Sequence, residues 1–318
     1  MAADARSIRV PAMGTEAHLV VVGGDDALVE HLVDLLGRLE RRWSRFLPDS
    51  EVSFLNAHAG QPVRVHSSTL LLVERAVAAW RLTGGAFDPT VLGDVVRAGY
   101  STSLGDVSAG PLDRCSVLER TPGCSDLIRA CSDIEVDHAE SLVRLPPGTG
   151  FDPGGIGKGL AADLLVTEAL RAVVGGVCVD IGGDLRVEGR APNGGSWTIA
   201  VEHPARTTPV TLLDVGAGAV ATSTTLRRRW TVAGRARHHV IDPRTGLPAD
   251  TDVDVMTVVA GEAWRAEVLA TAGLLRGSAG AFDLLGDGAH GLAVTTLGEV
   301  ACSAGLGSFL RRPIEPAA

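Results

Sequence analysis

Asp152-Pro153-Gly154-Gly155-Ile156-Gly157-Lys158-Gly159 is a glycine-dense run holding the only lysine of a 318-residue chain. The elements on its C-terminal side decide the fold. The pattern predicts a long helix from about Gly157 to Val174, then a buried strand, Val177–Ile181, closed by Gly182-Gly183-Asp184. Glycines before a helix let a ligand approach the backbone, and the helix start directs free N–H groups and a positive dipole end at it. A P-loop is excluded, because Gly159 stands where Ser or Thr must follow the lysine and Asp152 stands five before Gly157. The dinucleotide fingerprint G-x-G-x-x-G fails for want of the strand–loop–helix order. A turn role alone for these glycines stays open. Lysine and arginine total 29, so every cationic residue but one is arginine. A thin ammonium stem enters a crowded backbone loop that a planar guanidinium cannot, which makes Lys158 a candidate for a steric and chemical demand, the plainer alternative being a chance survivor of biased codon usage.

Working outward, a strand pair is expected at Ser7–Val10 and Ala17–Val22, turning at Met13-Gly14-Thr15. Asp25 or Asp26 caps a helix carrying Leu28, Leu32, Leu35, Leu36 and Leu39 at helical spacing. Ser67 or Ser68 caps a second helix, which Gly84-Gly85 ends. Residues 101–132 are polar and cysteine-bearing, and read as a peripheral insert in a single domain spanning 1–318. Ile134–Val136 and Leu142–Leu145 read as a hairpin. Five β-rich stretches follow the buried strand, at Trp197–Val201, Val210–Val215, Ala219–Ser223, Arg229–Val232 and His239–Ile241. Then come an apolar strand, Val253–Val259, and a last helix, Ala263–Leu275. Strands outnumber helices and hairpins are common, so the class is α+β.

Net charge is −9, which argues against nucleic acid as a partner, since phosphate backbones need a basic stripe. Aromatic content of 4% leaves the core to Val, Leu, Ile and Ala. Five cysteines without a C-x-x-C pair read as reduced thiols in a cytoplasmic protein. Neither a signal peptide nor a membrane span is visible.

Four further stretches could carry chemistry. His239-Val240-Ile241-Asp242-Pro243-Arg244-Thr245-Gly246 ends as a tight turn. On a strand, His239 and Ile241 would share one face, and His238 would be the solvated neighbour. A histidine there suits a general base, though a structural role is the commoner outcome. Glu267 and Thr271 share a helix face and, with a glycine-loop carbonyl, make an all-oxygen set suited to Mg²⁺. A solvated acid beside a helix threonine is the plainer alternative. Gly85-Ala86-Phe87-Asp88-Pro89-Thr90-Val91 is a turn in which Phe87 could simply plug the core. Gly182-Gly183-Asp184 sits where sheets often present ligand loops.

Taken in order, these motifs resemble one family. Met13-Gly14-Thr15, the run from Ser44-Arg45-Phe46 to Leu55-Asn56, Ala86-Phe87-Asp88-Pro89-Thr90-Val91, Asp152–Gly159, Gly182-Gly183-Asp184, Ala221-Thr222-Ser223, His239–Gly246 and Ala266–Thr271 are similar to the ApbE family of FAD:protein FMN transferases, from about residue 10 to 310. The resemblance implies an enzyme that cleaves FAD, attaches FMN through a phosphoester to a Ser or Thr of an acceptor flavoprotein, and releases AMP, with Mg²⁺ required. It implies FAD contacts at Met13, Phe46, Ala86, Phe87, Asp88, Asp152, Lys158 and Val240. Metal ligands would be the Gly155 carbonyl, Glu267 and Thr271, with His239 near the acceptor hydroxyl. Phe46 or Phe87 would suit the flavin or adenine face. His239 is the candidate base, a task that Asp152 or another carboxylate could share. The implied fold is α+β, two similar βα-plus-antiparallel-strand halves packed around one flavin cleft.

Two departures stand out. The family usually has Asp where this chain has Glu267, and Thr224 replaces the glycine of its Thr-Ser-Gly motif. Many relatives are exported lipoproteins; without their leader, this chain is expected to find its acceptor inside the cell. Two other readings remain: a metal-dependent FAD pyrophosphatase giving FMN and AMP, and a non-catalytic FAD-binding protein.

Overall fold

A computed structural model describes residues 4–101, 130–172, 174–205, 207–232 and 235–311. The insert expected at 101–132, with Cys115 and Cys124, lies almost wholly outside the described residues.

The chain divides into two compact units. The first is residues 1–38, 158–224 and 251–318, and the second is residues 39–157 and 225–250. Both combine helices with antiparallel ladders, so the class is α+β.

The first unit is built on one eight-stranded sheet. Its strands are β1 (Ala5–Ala12), β2 (Thr15–Val22), β3 (Gly176–Ile181), β4 (Asp184–Gly189), β5 (Gly218–Thr224), β6 (Val253–Ala260), β7 (His290–Thr295) and β8 (Val300–Cys302). They lie side by side in chain order, every neighbour antiparallel. The sheet is therefore a meander, and the second unit is made from two excursions out of it, after β2 and after β5.

Two-residue hairpins explain the glycine punctuation. Met13 and Gly14 turn β1 into β2 with φ of 50° and 69°; Gly182 and Gly183 turn β3 into β4 with φ of 65° and 96°. Paired positive φ angles match the strands' right-handed twist, and such turns favour glycine. Gly182-Gly183 is thus a hairpin tip, and Asp184 is the first residue of the returning strand.

The helices are α1 (Asp26–Trp43), α2 (Glu51–Ala57), α3 (Ser67–Leu82), α4 (Leu92–Arg97), α5 (Gly157–Ala169) and α6 (Ala263–Arg276). Asp25 caps α1, its Oδ1 accepting the Leu28 N–H at 2.8 Å. Neither serine caps α3: His66 does, its Nδ1 accepting the Ser68 N–H at 3.1 Å. An imidazole nitrogen supplies the same acceptor that a hydroxyl would, which residue-type preferences do not anticipate. Helix α5 stops at Ala169, one turn short of the predicted end.

Alternation along the strands sorts the core. On one sheet face Leu185, Val187, Val220, Val255, Val259, Leu292 and Val294 bury against the hairpin Trp197–Val201/Thr211–Val215. On the other, α6 lies across β4, β5 and β6, where small residues (Ala219, Ala221, Ala266, Ala270, Gly273) allow close approach. Each fully buried Val or Leu contributes roughly 1.5–3 kcal/mol, and the few aromatics are used in the core as well, with Trp197 in this cluster and Phe151 and Trp43 buried elsewhere.

The second unit carries shorter ladders: Pro62–Arg64 with Leu142–Arg144 and Glu135–Asp137, Arg229–Val232 with Arg235–His238, and Ile241–Asp242 with Leu247–Pro248. The strand expected across His239–Ile241 is broken. Pairing stops at His238, the chain bends at His239, and Ile241 begins a new two-residue ladder. The Asp242–Gly246 turn sets that second register, with the Gly246 N–H donating to the Asp242 carbonyl at 2.8 Å.

Candidate active site

The site residues fall in both units. In the first unit they gather at one end of the sheet. The Met13-Gly14 tip and the Gly182-Gly183 tip are neighbours there: the Gly182 N–H donates to the Glu16 carbonyl at 3.1 Å, and a Cβ on Gly182 would meet Thr15 Oγ1 at 2.6 Å. Only glycine fits between them.

Lys158 stands in the first turn of α5, where the glycine run becomes helix. Its Nζ donates to Asp184 Oδ2 and, at 2.8 Å, to Glu267 Oε1. The second carboxylate oxygen, Glu267 Oε2, accepts the Gly159 N–H at 2.8 Å. Both acids are buried, at 3% exposure each, while the lysine side chain keeps 16%. Buried carboxylates persist only when paired, and here two of them share one ammonium. The starts of α5 and α6 touch directly, since a Cβ on Gly159 would lie 2.4 Å from the Ala263 carbonyl oxygen. Asp163 joins the same two helices by accepting the N–H groups of Ala263 and Trp264, each at 2.9 Å. Burial drives its carboxyl up to about 6 despite those bonds.

One turn beyond Glu267, Thr271 Oγ1 lies 2.9 Å from Ser223 Oγ of β5. A buried carboxylate and a hydroxyl on one helix face are hard oxygen donors, and the carboxylate excess leaves room for a further positive charge. The donors of this unit therefore suit a divalent hard cation. Among the described residues no group of three or more His, Cys, Asp or Glu could hold a metal ion.

In the second unit the glycine run is anchored from behind. Asn56 clamps Phe151: its side-chain amide donates to the Phe151 carbonyl at 3.0 Å and accepts the Phe151 N–H at 2.7 Å. Asp152 is next, its N–H donating to the Pro89 carbonyl at 2.7 Å and its Oδ1 accepting the Gly154 N–H at 2.9 Å. Gly155 and Ile156 continue the turn into α5. Arg45, 7% exposed, reaches Asp152 with Nε at 3.4 Å and lies over the rings of Phe46 and Tyr100 at 4.2 and 4.8 Å. Tyr100 stacks in turn on Trp230, with centroids 5.5 Å apart. The chain's one tyrosine thus sits in this cluster.

Of the two aromatics suggested for ring stacking, Phe87 is buried at 5% exposure with its N–H held by Thr83 Oγ1, whereas Phe46 is half-buried. Asp88 is buried beside Ala86 and Phe87. It accepts the N–H and hydroxyl of Thr90, and burial raises its carboxyl to about 6. Val240 is buried, its carbonyl accepting the Ala249 N–H at 2.9 Å, and His239 is half-buried at the bend before it. His238 is not the solvated neighbour expected. Its Nε2 bonds the Ala249 carbonyl at 3.1 Å, and burial lowers its affinity for a proton. The broken strand explains the difference, since period-two alternation ends at the bend.

Sequence reasoning missed Asp184 as the partner of Lys158, and it missed Tyr100 and Trp230. Arg45 and Asn56 lay inside the Ser44–Asn56 motif without an assigned role.

The profile of the ApbE family matches residues 13–295. The FAD:protein FMN transferase of Treponema pallidum (strain Nichols) is 32% identical over 260 residues, covering 77% of this chain and 70% of the relative. That of Vibrio cholerae is 29% identical over 277 residues, covering 84% and 80%. Among solved structures, the ApbE protein of Thermotoga maritima superimposes with a TM-score of 0.82 at 28% identity, covering 97% of this chain and all of that one. The flavin transferase ApbE from Vibrio cholerae gives a TM-score of 0.79 at 25% identity, with the same coverage.

Proposed function

The chain belongs to the ApbE family, and from that premise we propose that it is an FAD:protein FMN transferase. The observation that carries the proposal is the pairing of Lys158 with buried Asp184 and Glu267, at a helix start that a glycine run opens. A diphosphate seeks such N–H groups and such an ammonium. Two carboxylates alone would repel it, so a further cation is needed, and Glu267 with Thr271 offers the oxygens.

FAD is the substrate. We assign its contacts to Met13, Phe46, Ala86, Phe87, Asp88, Asp152, Lys158 and Val240. Phe46 is half-buried with Arg45 over its ring, so only its remaining surface is available to the ligand, while buried Phe87 has only its backbone to offer. The hydroxyl oxygen of an acceptor Ser or Thr forms a bond to the phosphorus of the FMN half. The phosphoanhydride bond to the AMP half breaks, AMP leaves with that oxygen, and the hydroxyl proton passes to His239. Lys158 neutralises charge on the diphosphate, and glycine-run N–H groups orient it. Mg²⁺, held by Glu267, Thr271 and the Gly155 carbonyl, would supply the remaining positive charge on the phosphate oxygens. The partner is an acceptor flavoprotein. With a net charge of −9, nucleic acid is not proposed as a partner, and no helix among the described residues is long and apolar enough to cross a membrane.

The test incubates the protein with FAD, Mg²⁺ and a flavoprotein acceptor, and weighs the acceptor by mass spectrometry. A gain of one FMN supports transfer. Free FMN without adduct would indicate hydrolysis, and unchanged FAD would indicate binding alone.

A further inference from the structure

Two carboxylates fixed by rigid backbone share the chain's only lysine. Asp184 is the first residue of β4, set by a hairpin tip whose Gly182 admits no side chain against Thr15. Glu267 is held on α6 and pinned through Oε2 by the Gly159 N–H. Lys158, on a long flexible stem, is the member free to redistribute, and its ammonium contacts both. Neither acid can be left bare, because an unpaired buried charge is strongly destabilising. A divalent cation on Glu267 would compete with the ammonium for Oε1 and repel it at short range. The ammonium then needs a second anchor, and Asp184 is in place.

We propose that Asp184 is a positioning residue: it retains the Lys158 ammonium when a divalent cation takes Glu267, so that lysine and metal act together instead of excluding each other. The inference rests on the reading of Glu267 as metal ligand. It assigns to Asp184 a role the resemblance did not give it, and makes Glu267 the shared acid and Asp184 the lysine's own.

A single lysine makes the idea directly observable. Protein labelled with ¹⁵N only in lysine gives one side-chain ammonium resonance, that of Lys158, whose proton exchange with water is measured with Mg²⁺ alone and no FAD. In wild type, Mg²⁺ should shift the resonance saturably while exchange quickens by less than about threefold, as for a paired buried ammonium. In Asp184→Asn, Mg²⁺ should quicken exchange by at least about tenfold or broaden the signal away, because no carboxylate remains in direct contact with it, Asp180 acting only at longer range. Asp184→Glu, which keeps a carboxylate, should restore the wild-type response. Loss of the ammonium signal in wild type on adding Mg²⁺ overturns the proposal even if Asp184→Asn does not fold. So does an Asp184→Asn protein that behaves as wild type. Glu267→Gln separates the two layers. If it still gives the wild-type Mg²⁺ response, the metal reading of Glu267 is wrong and the proposal falls with it. If it loses the response while Asp184→Asn keeps it, only the role of Asp184 is refuted.

Discussion

Gly159→Ala should be among the most damaging one-methyl changes in the first unit. The new Cβ would lie 2.4 Å from the Ala263 carbonyl oxygen, 2.5 Å from its carbon and 2.7 Å from the Trp264 nitrogen, all backbone atoms. Ordinary contact begins at 3.4 Å, so the starts of α5 and α6 must part by about 1 Å. That movement stretches the Gly159 N–H bond to Glu267 and pulls on the two N–H groups that Asp163 accepts. Overpacking costs about 1–3 kcal/mol, and weakening a hydrogen bond to a charged acceptor costs about 1.5–3 kcal/mol. Better helix propensity returns about 1 kcal/mol, leaving a net loss of roughly 1.5–5 kcal/mol. Urea unfolding followed by helix circular dichroism measures it, with Gly157→Ala as comparison. At position 157 the new Cβ meets only Pro153 Cβ, at 3.6 Å, so that variant should be neutral or slightly more stable. Equal midpoints for the two variants would refute the close-packed helix starts, and with them the geometry given to Lys158 and Glu267.

Asp88 and Asp163 carry carboxyls raised by burial from 3.8 to about 6, so the folded state holds more protons than the unfolded one between those values and stability should fall as pH rises from 3.8 to about 6. Asp88→Asn should flatten that decline in a pH series of urea midpoints; an unchanged slope would remove Asp88 as its source. Asn56→Ala removes two bonds to Phe151, which should cost about 1–3 kcal/mol and weaken FAD binding through a loosened Asp152; fluorescence titration with FAD reports the second effect. His239→Ala should keep FAD affinity and lose FMN transfer, and a fully active variant would reject the base role. Lys158→Arg keeps the charge but must fit a planar fork between Asp184 and Glu267, so FAD affinity should drop; unchanged binding would remove the steric argument.

The glycine run, α5, β3 and the Gly182-Gly183 break were legible because each rests on local rules: N-terminal glycines, apolar runs, a turn needing positive φ. The α+β class came from the same hairpin signals. What was not legible depends on contacts distant in sequence. Asp184 and Lys158 are 26 residues apart, and Lys158 and Glu267 109, so no spacing rule joins them. His66 as a cap and the bend at His239 failed for another reason. Residue-type preferences favoured serine at the cap, and an apolar alternation hid the end of pairing. Phe87 shows how a motif residue can be core as well: its backbone belongs to the Ala86-Phe87-Asp88 turn while its ring is buried.

The meander has a consequence for how the molecule is made. Val22 at the end of β2 pairs with Gly176 at the start of β3, so the ribosome must add the whole first excursion before that edge finds its neighbour. At translation speeds of about 5–20 residues per second, β2 waits on the order of ten to thirty seconds with one side of its ladder open. Its partner β1 carries Arg6 and Arg9 along the hairpin, charges that discourage nascent chains from zipping together in the interval. Replacing them with apolar residues should leave the finished protein intact yet lower its soluble yield.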